Sequence, residues 1–163
     1  MDKLVIIPTY NERENIVSIL QAVLALAGDF HVLVVDDSSP DQTAQLVRDL
    51  STSFPGRLFL EERKGKGGLG TAYIHGFRWA LKKNYAFIFE MDADLSHNPN
   101  ELKPMLALLK GNFDMVIGSR YVNGINVVNW PLNRILLSYF ASMYVQLITA
   151  MPIKDPTAGY IGY

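Results

Sequence analysis

Cysteine is missing from the chain altogether, which excludes disulfides and thiolate metal sites. A charge excess of either sign is missing too, because 15 Lys and Arg stand against 16 Asp and Glu. Nothing is therefore available to neutralise many phosphates in a row, and nucleic acid is not an expected partner. The start offers only Leu4-Val5-Ile6-Ile7 as an apolar run, too short for a signal peptide, so a cytoplasmic location is expected. Internal repeats and low-complexity linkers are also lacking. His31, His75 and His97 share no spacing that would suit a metal, and only His97 falls near an acid cluster. What is present is 163 residues, 49% of them hydrophobic, enough for one domain with a real core and too few for two.

Apolar runs and helical periodicities alternate along the chain. Leu4 to Ile7, Val32 to Val35, Leu58 to Leu60, Phe87 to Phe89 and Met115 to Ile117 read as short strands. Ile16, Ile19, Leu20, Val23 and Leu24 recur at helical spacing, and a further helix runs through Tyr73, Phe77 and Ala80. Ser39-Pro40-Asp41 offers a helix start, with Ser39 as cap and Pro40 at the first helical position, for a helix ending near Ser53. Another helix opens near Asn98 or Asn100, with Pro104 early in it. The alternation predicts an α/β fold with a doubly wound, mostly parallel sheet flanked by helices.

Phe87-Ile88-Phe89-Glu90-Met91-Asp92-Ala93-Asp94 is the stretch that carries chemistry. A strand buried on both faces cannot retain Asp92 and Asp94, so they must emerge at the carboxyl edge of the sheet, where open α/β sheets bind ligands. No cation lies within several residues of either acid. A divalent ion such as Mg²⁺ or Mn²⁺, sharing its coordination with substrate phosphates, would relieve their repulsion. The same Asp-x-Asp also suits a solvated turn. Asp36 and Asp37 end the second strand in a similar way and could hold ribose hydroxyls or a base, or serve local turn chemistry. Arg120 follows the Met115 to Gly118 strand and leaves at the same sheet edge, where it could offset phosphate charge or form a surface ion pair.

Gly65-Lys66-Gly67-Gly68-Leu69-Gly70 matches the G-x-G-x-x-G fingerprint and makes a dinucleotide oxidoreductase a rival reading. That fingerprint belongs to the opening strand and turn of its fold, however, and here the opening turn is Pro8 to Asn15. Arg63, Lys64 and Lys66 instead make the loop a candidate phosphate clamp.

Residues 135–153 carry no charge, yet Ser138, Ser142, Gln146 and Thr149 form one polar stripe at helical spacing. The stretch is near the lower length limit for spanning a bilayer. Two placements stay open, a helix packed on the sheet and a helix lying at a bilayer interface.

IIPTYNERENI at 6–16, VVDDSSPDQT at 34–43, KGGLGTAYIHGF at 66–77, MDADLSHNP at 91–99, GSRYVNG at 118–124 and DPTAGY at 155–160 together resemble family 2 glycosyltransferases, specifically the dolichol-phosphate (polyprenol-phosphate) mannosyltransferases. The resemblance spans essentially the whole chain. It implies a GT-A fold over residues 1–163, a nucleotide-diphosphate sugar donor, most closely GDP-mannose, and a polyprenyl or dolichyl phosphate acceptor. It also implies peripheral association with the cytoplasmic face of a membrane. By the family pattern Pro8, Tyr10 and Glu12 would line the base pocket, and Val35 and Asp37 would meet the nucleoside. Asp92, Ala93 and Asp94 would contact the donor and its metal, with Ser96 as a further candidate metal ligand, and Arg120 would approach a phosphate. Asp92, Asp94 and Arg120 are thus the expected catalytic residues. Many relatives have Gly where Ser38 stands, and some have Gln in place of Ser96. Family members continue past the position of Tyr163, so a chain truncated at its carboxyl end is expected. A UDP-sugar-dependent transferase and a non-catalytic nucleotide-sugar binding module are the alternatives.

Overall fold

The computed structural model describes residues 3–119, 132–150, 153 and 155–163. Its strands are β1 (Lys3–Thr9), β2 (His31–Asp36), β3 (Leu58–Glu62), β4 (Phe87–Glu90), β5 (Val116–Ile117) and β6 (Ile161–Gly162). The helices are α1 (Ile16–Leu24), α2 (Thr43–Ser51), α3 (Leu69–Lys82), α4 (Leu102–Lys110) and α5 (Leu132–Thr149), with a 3-10 turn at Pro99–Glu101 ahead of α4. The sheet runs β3-β2-β1-β4-β6-β5. β1 pairs in parallel with β2 and β4, and β2 with β3, while β6 is antiparallel to both β4 and β5.

Alternate residues of β1 and β2 feed separate cores, the arrangement required of strands covered on both faces. Val5, Ile7, Val32 and Val34 pack with Ile16, Ile19, Leu20 and Val23 of α1, Val47 of α2, and Leu102 and Met105 of α4. Leu4, Ile6, Leu33 and Val35 pack on the other side against Ala72, Tyr73 and Ala80 of α3. Gly76 lets α3 approach β1 closely: a Cβ there would stand 2.6 Å from Ile6 Cγ2.

Strand order reverses around β1, since β2 and β3 lie on one side of it and β4 on the other. Pairing with β4 ends at Ile6 opposite Glu90, whereas β1 continues alongside β2 to Thr9 opposite Asp36. The chain leaving β4 therefore diverges from β1 and opens a crevice at the carboxyl ends, the usual place for a ligand in such a sheet.

Two elements depart from the sequence expectation. α2 starts at Thr43 rather than at Pro40, because Ser39 and Asp41 bond elsewhere. Ser39 Oγ donates to Asp36 Oδ1 at 2.6 Å and accepts the Asn11 amide at 3.1 Å. Asp41 takes over the helix entry, accepting from the Thr43 amide and hydroxyl at 3.0 and 2.6 Å. Gln42 then turns through a φ of 70° just before the helix.

α5 presents its faces in an unexpected sense. Ser142 on the polar stripe is buried, and its hydroxyl donates to the buried Asp155 at 3.2 Å and meets Thr157 Oγ1 at 2.9 Å. Leu137, Phe140, Tyr144, Leu147 and Ile148, on the opposite side, are 55 to 81% exposed. The polar stripe is thus buried at Ser142 and half-buried at Ser138 and Gln146, with Thr149 exposed, while the apolar side faces solvent, the reverse of an ordinary surface helix. Among the described residues no helix is long and apolar enough to cross a membrane.

Candidate functional site

A cavity of about 300 Å³ occupies the crevice, lined by segments that follow the first four strands. Pro8, Thr9, Tyr10 and Glu12 come from the end of β1 and the turn after it, and Asp37 from the end of β2. Lys66, Gly68, Leu69 and Ala72 come from the glycine loop and α3, and Asp92, Ala93 and Asp94 from the turn after β4. Of the residues expected from sequence, the structure brings Pro8, Tyr10, Glu12, Asp37, Asp92, Ala93 and Asp94 to one place. The side chain of Val35 does not reach the cavity; it is fully buried in the α3-side core. Arg120 lies outside the described residues.

Asp36 and Asp37, adjacent in sequence, do different work. Asp36 is fully buried and accepts from the Thr9 hydroxyl at 2.8 Å and from the Ser39 amide at 2.8 Å. These bonds make it a brace between β1 and the β2 turn, not a ligand-binding acid. Asp37 reaches the cavity wall but is engaged there. Arg63 Nε donates to it at 2.6 Å, and the amides of Gly67 and Gly68 donate at 2.9 and 3.2 Å. Arg63 also donates to Thr71 Oγ1 at 2.8 Å. Ser38 completes the junction, donating to the Arg63 carbonyl at 2.6 Å and accepting the Gly65 amide at 3.0 Å. The glycine loop is therefore held by the turn after β2, with its amides turned toward a protein carboxylate. Arg63, expected from sequence to help clamp a phosphate, is instead committed to Asp37 and Thr71. Its position at the end of the third strand, beside Glu61 and Glu62, gave no indication of a partner 26 residues earlier.

Two features of the cavity bear on charge. Lys66 Nζ stands 4.1 Å from the centre of the Tyr10 ring, so an ammonium sits over an exposed aromatic face. Burial raises the Glu12 carboxyl above its usual range; a hydrogen bond from Asn15 lowers it, and the charges of Asp94, Asp41 and Asp92 raise it again. Glu12, Asp92 and Asp94 thus repel one another across the space. Among the described residues no three acidic, His or Cys side chains come close enough to cage an ion unaided. The acid pair fits an ion that takes its remaining oxygens from a substrate, as Mg²⁺ does at phosphates. Ser96 is half-buried beside it, its amide donating to Asp94 Oδ1 at 3.0 Å across a strained link, since Leu95 has a φ of 60°.

Asp92 is supported from behind. The Tyr73 hydroxyl meets Asp92 Oδ1 at 3.3 Å, and burial together with the charges of Asp92 and Glu90 pushes that phenol far above its ordinary range. It therefore stays a donor. His97 also contacts Asp92, and its Nδ1 accepts the Asp92 amide at 3.1 Å.

The family model of the glycosyl transferase family 2 matches residues 4–162. The chain is 47% identical over 160 residues to the polyprenol monophosphomannose synthase of Mycolicibacterium smegmatis, covering 98% of this chain and 60% of that protein. It is 41% identical to the dolichol-phosphate mannosyltransferase of Pyrococcus furiosus, covering 96% of this chain and 44% of the relative. The chain thus spans about half the length of the curated relatives it matches. Among solved structures, the mannosyltransferase PcManGT of Pyrobaculum calidifontis, in complex with GDP-Man and Mn²⁺, superposes with a TM-score of 0.56 at 28% identity, over 65% of this chain and 31% of that one. The glucosyl-3-phosphoglycerate synthase of Mycobacterium tuberculosis, at 16% identity, shares the fold with a TM-score of 0.68 over 99% of this chain and 56% of that one. With its switch-point cavity, mostly parallel sheet and antiparallel β6, the chain has the expected GT-A fold and belongs to glycosyl transferase family 2.

Proposed function

We propose that this chain is the catalytic domain of an inverting transferase that moves mannose from GDP-mannose to a polyprenyl or dolichyl phosphate with the help of Mg²⁺ or Mn²⁺. The single observation that carries the reading is the convergence of the acid pair, Glu12, Tyr10 and Lys66 on one cavity at the strand-order reversal. Acids, an ammonium and an aromatic face lining one cavity suit a nucleoside diphosphate bridged by a cation. The donor assignment leans on the mannosyl relatives, because no described side chain reads guanine or the sugar's axial hydroxyl.

Asp92 and Asp94, with Ser96, are the residues that would hold the ion. When bound, it would act as a Lewis acid that stabilises the charge gathering on the departing diphosphate. The chain's own part is to position and to neutralise. Tyr10 offers a face for the base, and Lys66, displaced from that face by it, is within a short reach of the phosphates. Arg120 is assigned the same task of offsetting phosphate charge. An oxygen of the lipid phosphate forms the new bond to the anomeric carbon as the bond from that carbon to the diphosphate breaks, inverting the centre. That oxygen is already anionic near neutral pH, so no residue has to remove a proton.

The outward apolar face of α5 is assigned to a lipid surface. Its aromatic and aliphatic side chains, with no charge between residues 135 and 153, suit the boundary where an isoprenoid phosphate would present its head.

Transfer of labelled mannose from GDP-mannose to a polyprenyl phosphate in detergent, with and without Mn²⁺, tests the reading. Metal-dependent product is expected. Transfer only from a UDP-sugar would change the donor, and nucleotide binding without transfer would leave a binding module.

A further inference from the structure

His97 is the buried polar side chain nearest the acid pair that the proposed transfer does not use. It is 9% exposed and its ring stacks on Tyr160, centres 4.8 Å apart and planes 10° from parallel. Tyr160 is fixed in turn, its hydroxyl donating to the Asn98 carbonyl at 3.1 Å. Because Nδ1 accepts the Asp92 amide at 3.1 Å, the ring proton must sit on Nε2, which faces Asp92 Oδ2 at 3.9 Å. One ring therefore bonds the main chain of Asp92 and faces its carboxylate, while Tyr73 meets Oδ1. The backing is close, since a Cβ built on Gly159 would lie 3.5 Å from Asp92 Oδ2 and 3.8 Å from His97 Cε1.

We infer that His97 is a positioning residue for the donor reaction, orienting Asp92 toward the metal and diphosphate through its Nδ1 bond and its stack on Tyr160. This rests on the reading of Asp92 as a metal-binding acid. Partners behind a ligating carboxylate are ordinarily worth 10- to 100-fold in metal affinity, and the same scale is expected here.

The test measures GDP affinity by calorimetry with and without Mn²⁺ for the parent chain, His97→Ala and His97→Asn, alongside thermal unfolding of each. The Asn side chain keeps an acceptor near the Nδ1 position. The expected result is a loss on the order of 10-fold or more in Mn²⁺-dependent GDP affinity for His97→Ala, with metal-free GDP affinity kept and recovery in His97→Asn. Folded variants with parental Mn²⁺-dependent affinity would overturn the positioning role alone. Equal losses with and without Mn²⁺ would also overturn it, marking His97 as ordinary packing. A parent chain that binds GDP with no response to Mn²⁺ would overturn the metal reading and this inference with it.

Discussion

At the scale of single residues, the two aspartates after β2 illustrate how a motif divides its labour. Asp37 and Arg63 are 6 and 15% exposed in their side chains, so the pair is largely desolvated. Removing one partner from such a pair leaves the other charge uncompensated, a cost of about 3 to 5 kcal/mol. Asp37→Ala should therefore lower unfolding free energy by about 3 kcal/mol in a urea titration, and also free the amides of Gly67 and Gly68. Asp94→Asn should leave that titration unchanged, because Asp94 is exposed, while removing metal-dependent transfer. Full activity in Asp94→Asn would dismiss its assignment to the metal. The acid pair and the Pro8 to Glu12 turn were legible in the sequence because they end apolar runs, and a strand's end fixes where its next residues emerge. Arg63 and His97 were noted beside the glycine loop and the acids, but that Arg63 would pair with Asp37 and that His97 would stack on Tyr160 was not legible, since those partners are brought in by the folding of distant segments.

At the scale of elements, apolar runs located β1 to β5, most plainly β1 and β2, where burial on both faces leaves no polar position to disguise the period, but not the two-residue β6, which has no such run. The start of α2 was harder to read. Ser39, Pro40 and Asp41 give a sound local signal for a cap, but Ser39 has better-placed partners in Asp36 and Asn11, and the tertiary bonds prevail. On α5 the periodicity of the stripe was right, but a period cannot say which face turns inward. The consequence can be tested with liposomes carrying a polyprenyl phosphate. Leu137→Glu and Leu147→Glu, at 72 and 81% exposure, should abolish co-sedimentation while thermal stability stays within about 0.5 kcal/mol of the parent, as for other exposed sites. On α3, Gly76→Ala sets about 1 kcal/mol of helix propensity against a clash with Ile6. At 2.6 Å the neighbour is a buried methyl with little room to yield, so the clash prevails and a net loss on the order of 1 kcal/mol is expected in chemical denaturation.

At the scale of the whole molecule, stability should follow pH through a small set of buried groups. His31, under the N-terminal end of β2, has its Nδ1 2.8 Å from the Tyr85 hydroxyl. Burial lowers its pKa, Asp29 offsets part of that, and Arg57 adds to it. The folded chain therefore resists a proton that the unfolded chain accepts below about 6.5. Stability from this group is present above that value and is lost as pH falls through the lowered folded pKa. Glu12 and Glu90 act in the opposite sense. Their carboxyls are raised chiefly by burial, so stability from their protonated forms is present below the ordinary carboxylate range and is lost as pH rises through the raised values. Unfolding followed from pH 7 to pH 5 in His31→Phe should show a weaker acid-induced loss than in the parent. An unchanged profile would place the acid sensitivity elsewhere.

The position of β6 affects how the polypeptide is made. Phe89 in β4 waits for Gly162, and Val116 in β5 has the same partner, so a strand synthesised after both must slide between them. A ribosome that has delivered β1 to β4 has supplied the β1-side sheet and the α3-side core, but the other core still lacks Leu102 and Met105 of α4, and β4 still shows an unpaired edge to solvent. That edge, together with the exposed apolar face of α5, makes the interval before residue 161 the period when the nascent chain depends most on being shielded from its neighbours.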